Sequence, residues 1–395
     1  MVTFLPFKGL RPNLRAGEHV SDRISPPYDV IGDEYLADLQ SRPFNVTRLT
    51  LNPDADKRYH GARAELDSWI ADGALKQDPE SFYIYEQTFD DNGETRVRTG
   101  IVGILKTEKY ETGKVIPHEE TFSKVKADRL NLLRDMEAHL ESIFGIYEGF
   151  TPELNRRIND NASLVYRYVD DSGVEHKYYR LSDPEITSEV TRQLEPQSML
   201  IADGHHRYET ALNYSLENPD SEPKGYVLAT LVASDDKGLV IWPTHRLVDT
   251  GNISEKNAIK GISNVMEMQE VTAEEMEAGL GDHMMGLVFR SGKCFLADPK
   301  EAGEGLWNLD TYFAQERILK GVYKSDEGKA TVSYDAEYGS VKAKMADGRH
   351  DLAIILNDPS LQTIWDLSMV GKRMPKKTTF FFPKIWSGFV TYLMR

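Results

Sequence analysis

The runs SFYIYEQTF (81–89) and ETRVRTGIVGILKTEKY (94–110) are rich in aromatic and β-branched residues, and only four residues, DDNG, separate them. Asn-Gly supplies the positive φ angles that a tight turn requires, so the two runs are expected to pair antiparallel. Hairpin signals recur in SLVYRYVDDSGVEHKYYRL (163–181), and in MMGLVFR and KCFLAD on either side of an SGK turn (284–298). GYVLATLVAS and GLVIWPTHRLV read as further strands. Helical periodicity lies between them. Ala62, Leu66, Trp69 and Ile70 share a face that ends where Gly73 can cap it. DPEITSEVTRQL starts with Asp183 as cap and Pro184 at the first helical position. Leu130, Leu133, Leu140 and Phe144 predict one long helix over 126–147. Strands and helices that do not alternate regularly argue for an α+β fold of mixed, largely antiparallel sheets with packed helices.

A chain of 395 residues exceeds one ordinary core. Residues 1–58, with FLPFKGLRP and ISPPYDVIGDEY, are punctuated by Pro and Gly and read as an extended segment with short helices. Residues 249–281 are charged and helix-prone, which places a boundary near 248. From Thr331 the order reads strand, helix, strand (DLAIILN), helix (PSLQTIWDLSMV), then a basic-aromatic tail. The expected organisation is an N-terminal α+β core over 1–248, a smaller α/β subdomain over 249–330, and a C-terminal α/β segment over 331–395 whose tail returns to the core.

Lys plus Arg number 47 against 63 Asp plus Glu, a formal charge of −16, so duplex nucleic acid is a disfavoured partner. Cys294 is the sole cysteine, which excludes an intrachain disulfide and fits a reducing, cytoplasmic setting. No window approaches the roughly 18 apolar residues of a membrane span, and no export signal is visible. Five Trp and 34 Tyr plus Phe supply aromatic surface for a homo-oligomeric interface without locating one.

In MLIADGHHRYETAL (199–212) a short apolar run meets an amphipathic one at Asp203, Gly204, His205, His206 and Arg207. A helix N-terminus there favours an anion, glycine lets the backbone approach a phosphate, and arginine can grip one with two parallel hydrogen bonds. Two bland alternatives stand beside this: Asp203 as a simple N-cap with the histidines packing its turn, or a metal site, which adjacent histidines cannot easily form. In VIPHEETFSKVKADR (115–129), His118, Glu119 and Glu120 follow a proline, and either carboxylate suits a general base or a solvated helix start. Arg129, after Asp128, suits a substrate contact or a surface ion pair. Lys372, Arg373, Lys376, Lys377 and Lys384 form the densest basic stretch, around Phe380–Phe382, and read as an anion site or a solvated face. SPPYDVI presents Tyr28 and Asp29 from a stiff loop, as substrate contacts or as packing. His245 and Arg246 in WPTHRLV stand at a strand end, where a structural role is the commoner reading.

Taken in order, FLPFKGLRP, SPPYDVI, RTGIVG, PHEETF with ADR, IADGHHRYETAL, THR and MPKKTTFFFPK resemble the domain-of-unknown-function family 1015 over nearly the whole chain. Thr378 and Thr379 stand where that family usually has serine and then threonine. DGHHR is similar, more remotely, to the nucleotide-binding motif of the ParB and sulfiredoxin-like superfamily, in particular that of its free serine kinases. That resemblance implies a ParB/sulfiredoxin-like core, with Gly204, His205, His206 and Arg207 on nucleotide phosphates and a separate glutamate, Glu119 or Glu120, activating a hydroxyl. Thr210 stands where the ParB form has alanine, so chromosome partition is not implied.

The expectation is a kinase-type phosphotransferase using ATP or ADP, with or without Mg, on a small hydroxyl-bearing metabolite, free serine first. Asp203 and Glu119 compete for the metal-positioning and proton-accepting roles, His205 and His206 join the catalytic set, and Lys376 and Lys377 close over the cofactor. Tyr28, Asp29, His118 and Arg129 contact substrate. The competing readings are a non-catalytic nucleotide sensor or clamp and a phosphoserine-type phosphatase.

Overall fold

A computed structural model describes residues 2–52, 58–120, 123–250, 253–281, 283–301 and 303–395. The fold is α+β. The chain divides into two compact units, one of Met1–Pro117, Thr121–Val240 and Pro383–Arg395, the other of His118–Glu120 and Ile241–Phe382.

The first unit is built on a nine-stranded sheet. Its strands are β1 (Phe4–Leu5), β2 (Phe82–Asp91), β3 (Glu94–Lys106), β4 (Val115–Ile116), β5 (Ile143–Tyr147), β6 (Ser163–Val169), β7 (Glu175–Leu181), β8 (Met199–Asp203) and β9 (Tyr226–Ala233). They lie in the order β4-β8-β5-β9-β3-β2-β7-β6, with β1 beside β3. The pairs β4–β8 and β5–β9 are parallel, and the other pairs are antiparallel. The β2–β3 hairpin turns where expected, through Asn92 (φ 54°) and Gly93 (φ 85°). Phe82 and Ile84 enter one apolar cluster while Tyr83 and Tyr85 enter the cluster on the opposite face. Burial on both faces explains why β2 reads as a continuous apolar run instead of an alternating one.

Four helices position the residues of interest: α1 (Arg58–Ala71), α2 (Ser123–Met136), α3 (Pro184–Leu194) and α4 (His205–Glu217). Gly73 follows α1 at φ 69°, and Asp183 caps α3 by accepting from the Glu185 and Ile186 N–H groups. The long helix expected over 126–147 is corrected: α2 stops at Met136, and Glu137 takes φ 47°. Residues 138–139 then pair with 392–393, and 143–147 form β5. All five residues of β5 are buried, and a short strand buried on both faces carries no alternation to distinguish it from the end of a helix.

The second unit holds a six-stranded, wholly antiparallel sheet: β10 (His245–Thr250), β11 (Met266–Val271), β12 (Met285–Phe289), β13 (Cys294–Pro299), β14 (Ala330–Asp335) and β15 (Leu352–Ile355), in the order β11-β13-β12-β15-β10-β14. Met285, Leu287 and Phe289 point into a cluster with Ala258, Ile262, Phe313 and Ile318, while Val288 packs on the other face with Met276 and Val341. The β12–β13 hairpin follows the SGK signal, and β14, the helix Tyr338–Ala346, β15 and the helix Leu361–Met369 keep the order expected after Thr331.

Candidate functional site

In the first unit β8 runs into α4 through a single residue, Gly204, at φ 89°. The left-handed conformation favours glycine there, and the Arg207 guanidinium packs close against it: a Cβ at this point would lie 3.1 Å from Nε and Nη2. The start of α4 has no side-chain cap, so Asp203 is not the helix cap that the bland reading made it. Its Oδ1 instead accepts from the Gly204 N–H (2.7 Å), and its Oδ2 accepts from Lys384 Nζ (3.0 Å). Burial alone would raise the Asp203 carboxyl. The charges of Lys384 and Arg207, with the hydrogen bonds from Lys384 and Gly204, outweigh it and hold the group well below the usual carboxylate range. Arg207 donates from Nη1 to the Ser142 carbonyl. His205 is buried, His206 half-buried, and Thr210 turns back to the His206 carbonyl (2.7 Å).

Beneath this corner, Arg207 and Thr210 line a cavity of about 60 Å³ together with Arg129, His139, Glu141 and Thr50. Arg129 donates to the Thr50 carbonyl (3.3 Å) and to Asp128 (3.2 Å), and its guanidinium lies 4.5 Å from the Tyr28 ring centre. Tyr28 and Arg129, two expected substrate contacts, therefore touch each other. Arg129 also shares a cavity wall with Arg207. The side chain of Asp29, like Thr121 and Phe122 of the PHEETF motif, lies outside the described residues.

The second unit gathers the other expected residues. His118 is fully buried, with Nε2 2.9 Å from Thr379 Oγ1. Glu119 Oε1 accepts from the Thr378 N–H (3.1 Å), the Thr379 N–H (3.4 Å) and Thr379 Oγ1 (3.4 Å). Met374 N–H donates to the His118 carbonyl, so PHEE and MPKKTT form one local structure. Lys377, exposed, takes φ 59° in the same loop, Lys376 is half-buried, and Glu120 is exposed.

Lys384, read as part of an anion site or a solvated face, forms an ion pair with Asp203. Two further participants in the first unit escaped the sequence reading. Arg98, 1% exposed, donates to Gln87 Oε1 and the Pro383 carbonyl, and the Asp203 charge reaches it. His139 was hidden inside the run read as helix. Its pKa is lowered to about 4, chiefly by burial, while a hydrogen bond to the Tyr226 backbone works the other way.

A family model matches residues 4–312. The chain belongs to the DUF1015 family. That family is described as protein of unknown function. No curated protein matches this DUF1015 chain. Among solved structures it is similar to a free serine kinase mutant in complex with AMP, at 16% identity over 68% of this chain and 83% of that one, TM-score 0.39. A conserved hypothetical protein from Pyrococcus furiosus matches at 16% identity over 69% and 89%, TM-score 0.39. A C-terminally truncated SbnI from Staphylococcus aureus matches at 10% over 72% and 85%, TM-score 0.40. Among the described residues no group of three or more His, Cys, Asp and Glu could hold a metal ion, and no helix is long and apolar enough to cross a membrane.

Proposed function

We propose that this chain is a nucleotide-binding phosphotransferase whose acceptor is a small hydroxyl-bearing metabolite, with free serine as the first acceptor to test. The observation that supports this reading is the corner at Gly204: a left-handed glycine opening an α4 that has no side-chain cap, with the Arg207 guanidinium folded against it. The N–H groups of a helix's first turn have no partners within the helix, and they face outward with the positive end of the dipole. A phosphate set there meets backbone donors and one guanidinium, and phosphoryl transfer depends mainly on such charge stabilisation and positioning.

Asp203 serves in this scheme as a fixed negative charge. A carboxyl held so far below the usual range by Lys384 and Arg207 is a weak base. Magnesium, where used, would arrive with the nucleotide, since this ion commonly binds through one or two carboxylates plus substrate phosphates.

The test is turnover. Incubation with ATP or ADP and serine, followed by phosphorus NMR, should produce phosphoserine. Arg207→Ala should weaken nucleotide binding about 10- to 100-fold, roughly 1.4–2.8 kcal/mol, without unfolding the chain. Tight nucleotide binding with no reaction in either direction, phosphoserine included, would establish a sensor instead of an enzyme. A large stability loss in Arg207→Ala with unchanged binding would make the corner purely structural.

A further inference from the structure

Arg246, the second residue of β10, is 0% exposed. Its Nη1 donates to the Thr244 carbonyl, and its guanidinium lies 5.2 Å from the Tyr334 ring centre. Its Nε and Nη2 have no hydrogen-bond partner. The Nη1 contact sets the guanidinium against residue 244, where the Thr244 hydroxyl, on a residue 4% exposed, is also without a partner. Among the described residues no carboxylate lies within ion-pair distance of Arg246. Glu119 acts on it only through its charge, and burial lowers the guanidinium pKa to about 10.

Buried polar groups are almost always paired, and an uncompensated buried charge is strongly destabilising. The groups left over here share one chemical sense. Nε and Nη2 form the edge of a guanidinium that presents parallel N–H bonds, the geometry that grips a carboxylate or a phosphate in two places. The hydroxyl of Thr244, two residues before Arg246 and equally without a partner, can donate a further hydrogen bond. What the cluster lacks is an acceptor with several lone pairs and a negative charge.

We propose that Arg246 and Thr244 form a binding site in the second unit for the oxyanion group, carboxylate or phosphoryl, of a small molecule. The site stands apart from the phosphotransferase reading and does not rest on it.

The test uses the full chain as wild type, Arg246→Met, Thr244→Val and Arg207→Ala. Thermal midpoints are followed against inorganic phosphate, sulfate and acetate, with ionic strength held constant by chloride. At least one anion should raise the midpoint of both wild type and Arg207→Ala. The half-saturating concentration should rise at least about tenfold in Arg246→Met, which loses the fork. It should rise about threefold in Thr244→Val, which loses one hydrogen bond. A response to acetate identifies a carboxylate ligand, and one confined to phosphate and sulfate identifies a phosphoryl group. In chloride alone Arg246→Met should melt no lower than wild type, because an unpaired buried charge has been removed.

No shift with any of the anions, or a shift of equal size in Arg246→Met, overturns the proposal in favour of a guanidinium satisfied by internal water. A shift lost in Arg207→Ala but kept in Arg246→Met also overturns it, by assigning the anion to the Gly204 corner. Should Arg246→Met fail to fold, Thr244→Val decides, and an unchanged half-saturating concentration is the negative result.

Discussion

Acidification from pH 6.5 to pH 4 should cost this protein several kcal/mol of stability, well before most carboxylates titrate. His139 and His245, 7% and 3% exposed, both have pKa values lowered from 6.5 to about 4, chiefly by burial. At His245 the neighbouring Arg246 charge pushes the same way and Asp335 opposes it. In the unfolded chain each imidazole takes its proton near pH 6.5, whereas in the folded chain it stays neutral until about pH 4. The unfolded state therefore binds more protons throughout that window. Stability is fully present above about pH 6.5, falls as the pH drops, and levels off below about pH 4. At about 1.4 kcal/mol per pKa unit, each histidine contributes on the order of 3 kcal/mol. Urea denaturation at pH 7 and at half-unit steps down to pH 4 measures the slope. The double variant His139→Leu, His245→Leu should show a much flatter line whatever its absolute stability. Equal slopes in the two proteins would remove these histidines as the cause.

Asp203→Ala should be the most damaging substitution at the proposed nucleotide corner. It deletes the carboxylate that bonds both Lys384 and the Gly204 N–H while leaving the Arg207 and Lys384 charges in place. Breaking a buried pair from one side costs about 3–5 kcal/mol. With the Asp203 side chain 29% exposed, about 3 kcal/mol is the upper end expected here. Asp203→Asn keeps an acceptor for the Gly204 N–H and should cost less. The acid limb offers an independent check. A carboxyl depressed in the folded state contributes stability that is complete above its ordinary value near 3.8 and is lost as the pH falls through its lowered value. Asp203→Asn should flatten the stability curve below about pH 4 and leave the histidine window untouched. Chemical denaturation of the three proteins at pH 7 and pH 3 measures both effects. An alanine variant as stable as wild type, with an unchanged acid limb, would make the Lys384 pair a surface ornament.

What could be read in advance divides along physical lines. The β2–β3 hairpin was legible because Asn92 and Gly93 fix a turn that few other residues can make. The β8-to-α4 corner was legible because glycine, histidine and arginine at a strand end fit poorly with packing alone. Lys384 was not, since its partner lies 181 residues away and no local pattern encodes a contact of that span. His139 and β5 were masked by a buried run whose spacing imitates a helix. Arg246 looked like an ordinary strand-end residue. Only its burial, together with the accounting of its N–H groups, separates it from the many arginines that snorkel to solvent.

The division of the first unit into segments on either side of residues 241–382 has a consequence for biosynthesis. Residues 383–395 supply Phe389 and Val390 to its core, pair at Tyr392 with His139, and bring Lys384 to Asp203. A ribosome must translate the whole of 241–382 before it makes any of them. Domains generally fold as units while the chain emerges, so the second unit is free to complete itself first, and the first must wait with an open seam in its core. A chain released after residue 382 should therefore carry one finished unit and one that chaperones still recognise as unfinished.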